Sequence, residues 1–316
     1  MPTFCRHNRF LHSCPICSPQ EAAPPAPRRA GGGTATRTRR SGTARPGGVR
    51  VRRVARAADD GYAGPLVPGL RASADARTLA GELGFATGRL AWLAAGPEGF
   101  YGDIASLPDR EEALWLAALA AVLGPLEGED PFATVRAVHV PWGEDPDLEG
   151  AELGPRAGAP SAAEAARVLS AYRGWAQRAG SQAAALGGEP SWSSERRFER
   201  AFERLGSVGM ARGARFDLLV VLDRLGLLDA RPPSLWLGDR DETSLAAKRV
   251  FGIGERFLLD RRAGDLAAAA GVPLEALDLA LANLDAPERI TLGAPAGATD
   301  AEAAARAERV LGVDAD

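Results

Sequence analysis

Apolar residues recur along this chain at spacings of three and four, and nowhere do they alternate with period two over more than a few residues. The densest such stretch runs from Ser194 to Gly252. Phe198, Phe202 and Leu205 fall on one face of a helix there, and Arg196, Arg197, Arg200 and Arg204 fall on another. Leu205-Gly206-Ser207-Val208-Gly209 follows, a break short enough to read as a tight hairpin. The next helix carries the apolar run Phe216 to Leu222, which reads as mostly buried. An acidic loop comes next, and then a third helix that Thr243 or Ser244 would cap.

Elsewhere the helix signals are punctuated by caps. Residues 74–95 hold two short helical patterns around Gly84. Asp109, with Glu112 three residues on, opens a helix through Leu114, Trp115, Leu119 and Leu123, which Gly124-Pro125 stops. Residues 126–160 read as loop, with Trp142, an acidic run and a lone His139 between two valines, best taken as a core or edge residue. Ser161 and Glu164 form a capping box for a helix to about Arg178, with Leu169, Tyr172 and Trp175 inward. Further helices are expected over Asp260–Gly271, from Pro273 through Leu284, and from the Thr299–Glu302 capping segment to Gly312. The body is therefore expected to be all-α, with about eight to ten helices and no internal repeat.

Composition adds a division of the chain. The net charge is −3, yet the residues before Asp59 hold twelve arginines against the single acid Glu21, a local excess of +11. This segment is rich in Pro, Gly, Ala and Thr, lacks aromatics through its central part, and cannot bury enough apolar surface to offset the entropy of ordering. Residues 19–65 are thus expected to be a disordered basic linker, between a small element at 1–18 and a helical domain at 66–316. A basic arm on an acidic body points to a polyanion partner, and a solvated linker with incidental charge is the alternative. Apolar residues make up 46% of the chain, enough for a sizeable core. No apolar run approaches the roughly 20 residues of a membrane span, and the N-terminus lacks a signal-peptide pattern, so a cytoplasmic location is expected.

The three cysteines all precede residue 18. Cys5, His7, Cys14 and Cys17 make a C-x-H-x6-C-x2-C pattern. Zn²⁺ takes four such ligands tetrahedrally, and a C-x2-C knuckle supplies two of them on one turn. A closed, structural zinc site is expected, with His12 able to replace His7. The pattern resembles small zinc motifs that decorate nucleic-acid-associated proteins.

The central stretch carries the candidate chemistry. A glycine hairpin lets backbone approach a phosphate, and the N–H groups of the following helix bind an anion. On that reading Gly206, Ser207, Gly209, Arg212, Arg215 and Arg249 contact DNA; an ordinary helical hairpin in a core turns on glycine just as readily. Asp239 and Asp241 follow the apolar segment Leu235-Trp236-Leu237 and Gly238. They read either as catalytic carboxylates or as caps favoured by the helix dipole. This order resembles the helix-hairpin-helix DNA glycosylases, which place an Asp at a helix start after the hairpin. Gly206 and Ser207 stand where that family usually has Pro and Gly, and the hairpin holds no lysine for Schiff-base chemistry.

A closer resemblance is to the alpha-glutamyl/putrescinyl thymine pyrophosphorylase group. It is carried by the Asp109–Leu116 helix ending in Gly124-Pro125-Leu126, the Phe132 segment, the Gly206–Leu222 hairpin, and Ala247-Lys248-Arg249-Val250-Phe251-Gly252-Ile253 before Leu277-Asp278. The resemblance implies an enzyme acting on a modified thymine in DNA, where an amine displaces pyrophosphate. Arg212, Arg215 and Arg249 would then neutralise the leaving group. A base-excision glycosylase and a non-catalytic DNA-binding module are the alternatives. A concave pocket at the acidic loop, lined by Trp236 and arginines, would favour an enzyme, and a flat surface the binding module.

Overall fold

The computed structural model describes residues 57–238 and 240–314, all within one unit of the chain, Arg52–Asp316. The zinc motif Cys5/His7/Cys14/Cys17, nearly all of the basic arm, and Asp239 lie outside the described residues.

The body is helical: α1 (Ser73–Ala94), α2 (Phe100–Ser106), α3 (Arg110–Leu123), α4 (Ala133–Val138), α5 (Ala162–Arg178), α6 (Gln182–Gly187), α7 (Ser194–Ser207), α8 (Arg212–Arg224), α9 (Glu242–Phe251), α10 (Arg256–Ala270), α11 (Ala276–Leu284) and α12 (Ala301–Leu311). Extended pairing among the described residues is limited to one bridge, Gly64 with Val67. No helix among them is long and apolar enough to cross a membrane.

Half of the twelve described helix starts carry a side-chain cap. Asp109 accepts from the Glu111 amide at 2.9 Å, and Ser161 from the Glu164 amide at 3.3 Å. Four starts differ from expectation, one of them α11, which opens at Ala276 rather than at Pro273. Asp241, not Thr243 or Ser244, caps α9, accepting from the Ser244 amide at 3.2 Å and from its hydroxyl at 2.7 Å. Thr243 and Ser244 are buried inside the first turn. Asp300, not Thr299, caps α12 through the Ala303 amide at 2.8 Å. Helix α10 opens at Arg256 rather than at Asp260.

Helix α1 runs unbroken through Gly84, where the sequence pattern suggests two short helices. The glycine serves contact and not a bend. A Cβ on Gly84 would lie 2.6 Å from the Ala304 Cβ, and one on Gly88 would lie 2.6 Å from the Asp300 nitrogen. Helix α12 and the turn before it therefore sit directly on α1.

Helix α11 is buried along all of its residues, Ala276–Leu284, between α1 and α9. Its two polar side chains are satisfied inside the protein. Asn283 donates to Glu82 at 2.9 Å and accepts from the Ile290 amide, while Asp278 meets Arg156 and Arg212.

Described residues ahead of 66 also bond to the helical body. Asp60 accepts from the Ser73 amide and hydroxyl, and the Tyr62 hydroxyl donates to the Leu311 carbonyl at 2.7 Å.

Candidate functional site

Helices α7 and α8 meet through a turn of four residues, 208–211. The turn is a Schellman motif. Met210 N–H donates to Leu205 O at 3.2 Å, Gly209 N–H to Gly206 O at 3.1 Å, and Gly209 takes φ +93°. Ser207 donates back to the Glu203 carbonyl at 3.1 Å. The Ala211 amide, one donor at the start of α8, is spent on the Gly158 carbonyl at 2.9 Å. Gly206 has a packing role: a Cβ there would overlap the Arg215 guanidinium. The hairpin glycines thus have structural reasons that require no phosphate.

Beside this turn lies a pocket of about 520 Å³, lined by Arg196, Arg200, Glu199 and Glu203 of α7, Phe202, Arg215 of α8, Trp236, Gly238 and Arg256 of α10. That volume lies within the usual range for small-ligand sites. The pocket floor is aromatic. Trp236 stacks on Phe202 with centroids 4.6 Å apart and on Phe198 at 5.5 Å. Arg215 lies over the Phe202 ring at 4.0 Å and donates to the Phe202 carbonyl at 3.3 Å. Trp236 has φ +53°, a left-handed conformation that a bulky residue adopts only when its surroundings impose it.

Among the described residues four arginines and two glutamates line the rim, with Arg200 paired to Glu203 at 3.2 Å. Behind the floor, Asp260 accepts from the Leu237 amide at 3.2 Å, with Arg256 Nε 3.5 Å away. Burial pushes the Asp260 carboxyl above its ordinary value, against the pull of the Leu237 amide and Arg256.

A second depression, of about 710 Å³, has the opposite character. Glu127, Glu152, Glu242, Asp285 and Glu288 ring an apolar floor with Leu153 and Leu245. Its carboxylates would repel phosphate and other anions.

Of the sequence-derived DNA contacts, the structure sets Arg215 in the pocket wall with Gly206 against it, and Ser207 and Gly209 complete the turn beside them. It sends the other two arginines inward. Arg212 is buried, donates through both terminal nitrogens to one oxygen of Asp278, and donates to the Leu235 carbonyl at 3.0 Å. Arg249 bridges Asp75 and Asp285. Neither guanidinium is presented to a ligand. Asp241 caps α9, has Arg212 Nε 3.7 Å away, and is not among the pocket residues. His139 pairs with Glu112 at 2.7 Å, in keeping with an edge residue. Among the described residues no group of three or more His, Cys, Asp or Glu is placed to hold a metal.

The interior under α8 holds a charge network that sequence reasoning missed. Arg156, from the loop before α5, donates to Asp217 at 2.7 Å, Asp278 at 2.6 Å and the Thr243 hydroxyl at 3.2 Å. Burial works against the Arg156 charge, and Asp217 and Asp278 outweigh it. Burial also raises the Asp278 carboxyl, with Arg212 and Arg156 pulling the other way. Comparison of the chain with protein-family models, curated proteins and solved structures returned no match.

Proposed function

We propose that the arginine-rimmed pocket over Trp236 receives an unstacked base and its phosphate from DNA, and that the protein acts there on a modified thymine. The carrying observation is the pocket itself: a concave site with an aromatic floor and four arginines, next to the α7–α8 turn and the segment that leads to Asp241. Aromatic stacking with a cationic rim is how sequence-tolerant sites hold single bases, and chemistry on a base requires taking it out of the stack. The resemblance to the thymine pyrophosphorylase group supplies the reaction class, displacement of pyrophosphate by an amine. Arg196, Arg200, Arg215 and Arg256 replace Arg212 and Arg249 as the groups that would meet the anionic leaving group. The Cys5/His7/Cys14/Cys17 set has the donor chemistry of a structural zinc knuckle.

A second reading, base binding without catalysis, is favoured by the capping role of Asp241. One experiment separates the two. The purified full chain is titrated with a labelled oligonucleotide carrying an unpaired base, and DNA nucleosides are then analysed by mass spectrometry after incubation with DNA containing modified thymine and an amine donor. The exposed rim substitutions Arg200→Ser and Arg256→Ser together are expected to weaken binding about tenfold without changing the melting temperature. Unchanged affinity would remove the pocket assignment. Preserved binding with no new nucleoside would leave the non-catalytic reading.

A further inference from the structure

Helix α1 buries two charged side chains, and they are treated very differently. Glu82 is met by Arg289, with Nε 3.0 Å from its Oε1, and by Asn283. Arg89, two turns on, is 3% exposed, and its Nε and Nη2 have no hydrogen-bond partner among the described residues. Among the described residues, the carboxylates nearest it are already engaged. Asp217 accepts from Arg156 through both oxygens, at 2.7 and 3.2 Å. Asp278 is shared between Arg156 and Arg212. Three buried guanidinium groups, Arg89, Arg156 and Arg212, therefore face two carboxylates, Asp278 fully buried and Asp217 nearly so, with Asp241 a partly exposed cap beyond them. The Tyr101 hydroxyl accepts a hydrogen bond from Arg89 and donates to the Leu292 carbonyl at 3.1 Å, and burial raises its phenol above its ordinary value. It stays neutral. A guanidinium keeps its charge where a lysine or histidine would lose it, and a buried cation without a counter-charge is strongly unfavourable.

Arg89, Tyr101, Arg156 and Asp217 line one small cavity, together with apolar residues such as Ala117, Leu218 and Val221. Its volume is about 20 Å³. A single water-sized sphere needs roughly 10–15 Å³ on this measure, so the space admits one small body and excludes a phosphate or a carboxylate-bearing metabolite. We infer that this cavity is a binding site for one small inorganic monoanion of chloride size, held by Arg89 and completing the charge balance of the network under α8. The site is independent of the arginine-rimmed pocket.

The test uses the full chain at fixed pH and ionic strength, melted in sodium chloride, sodium bromide and sodium gluconate. Chloride and bromide are expected to raise the melting temperature saturably over gluconate, by on the order of 3 °C near tenfold saturation. In Arg89→Met the three curves are expected to coincide. Because that variant removes a buried charge and can alter the fold, bromide-soaked crystals of the native protein give a second reading, an anomalous peak beside Arg89. Coincident chloride and gluconate curves in the native protein, or a halide effect that persists in Arg89→Met, would overturn the inference. So would anomalous density that is absent from this cavity.

Discussion

Asp260 joins the pocket floor to the interior, and its titration is a direct test of that placement. Its native carboxyl sits above the ordinary value of 3.8 because burial opposes the charged form. The native state therefore holds this proton more tightly than the unfolded chain. The associated stability is fully present below about pH 3.8 and is lost as pH rises through the native value. Asp260→Asn does not titrate, and its amide oxygen can still accept from Leu237. Urea midpoints are expected to favour the variant over the native protein more at pH 7 than at pH 4, and an equal difference at both would place Asp260 in solvent. At this scale the site is partly legible in the sequence. Arg196 and Arg200 declare themselves by their four-residue spacing on a helix face, and Trp236 by its place after the hairpin. Arg212 misleads because an arginine beside glycines reads as surface, while its partner Asp278 is 66 positions away and no local pattern carries that distance. Arg256 escapes notice because Asp260, four residues later, has the look of a helix start.

Among the helices, α1 shows two glycines with opposite demands. A Cβ at Gly84 meets Ala304 and the Asp300 carbonyl, at 2.6 and 2.9 Å, while one at Gly81 has nothing within 4 Å. Gly81→Ala is expected to stabilise by about 0.5–1 kcal/mol, the helix preference of alanine over glycine. Gly84→Ala is expected to destabilise by about 1–2 kcal/mol, because overlap with α12 exceeds the same preference. Denaturant unfolding of the two variants decides it: a stabilising Gly84→Ala would show that α12 does not press against α1. The long capped helices are legible from periodicity and caps. The short ones, α2, α4 and α6, are not, since six or seven residues give barely two turns of pattern and their existence depends on packing. Gly84 reads as a break for a related reason: sequence shows a glycine, and only the fold shows the backbone pressed against it.

For the molecule as a whole, the charge asymmetry gives a measurable expectation. The arginines before Asp59 would each release counterions on meeting phosphate. Deleting residues 18–56 is expected to flatten the slope of log K against log salt for DNA by several units, at roughly 0.9 for each phosphate no longer neutralised. An unchanged slope would show that the arm takes no part. The order in which the body can be completed follows from its topology. Helix α1 is the first helix of the described body, yet its main partners are α11 and α12, the last two. The Tyr62–Leu311 hydrogen bond spans 249 positions. During synthesis the apolar side of α1, with Leu79, Leu83 and Phe85, must wait uncovered until nearly the whole chain has left the ribosome. The closure is also a long loop, slow to form and unfavourable in entropy until the final helix docks. A nascent chain stalled before residue 276 would display a sticky helix with no mate, the kind of surface that chaperones and proteases read as unfinished.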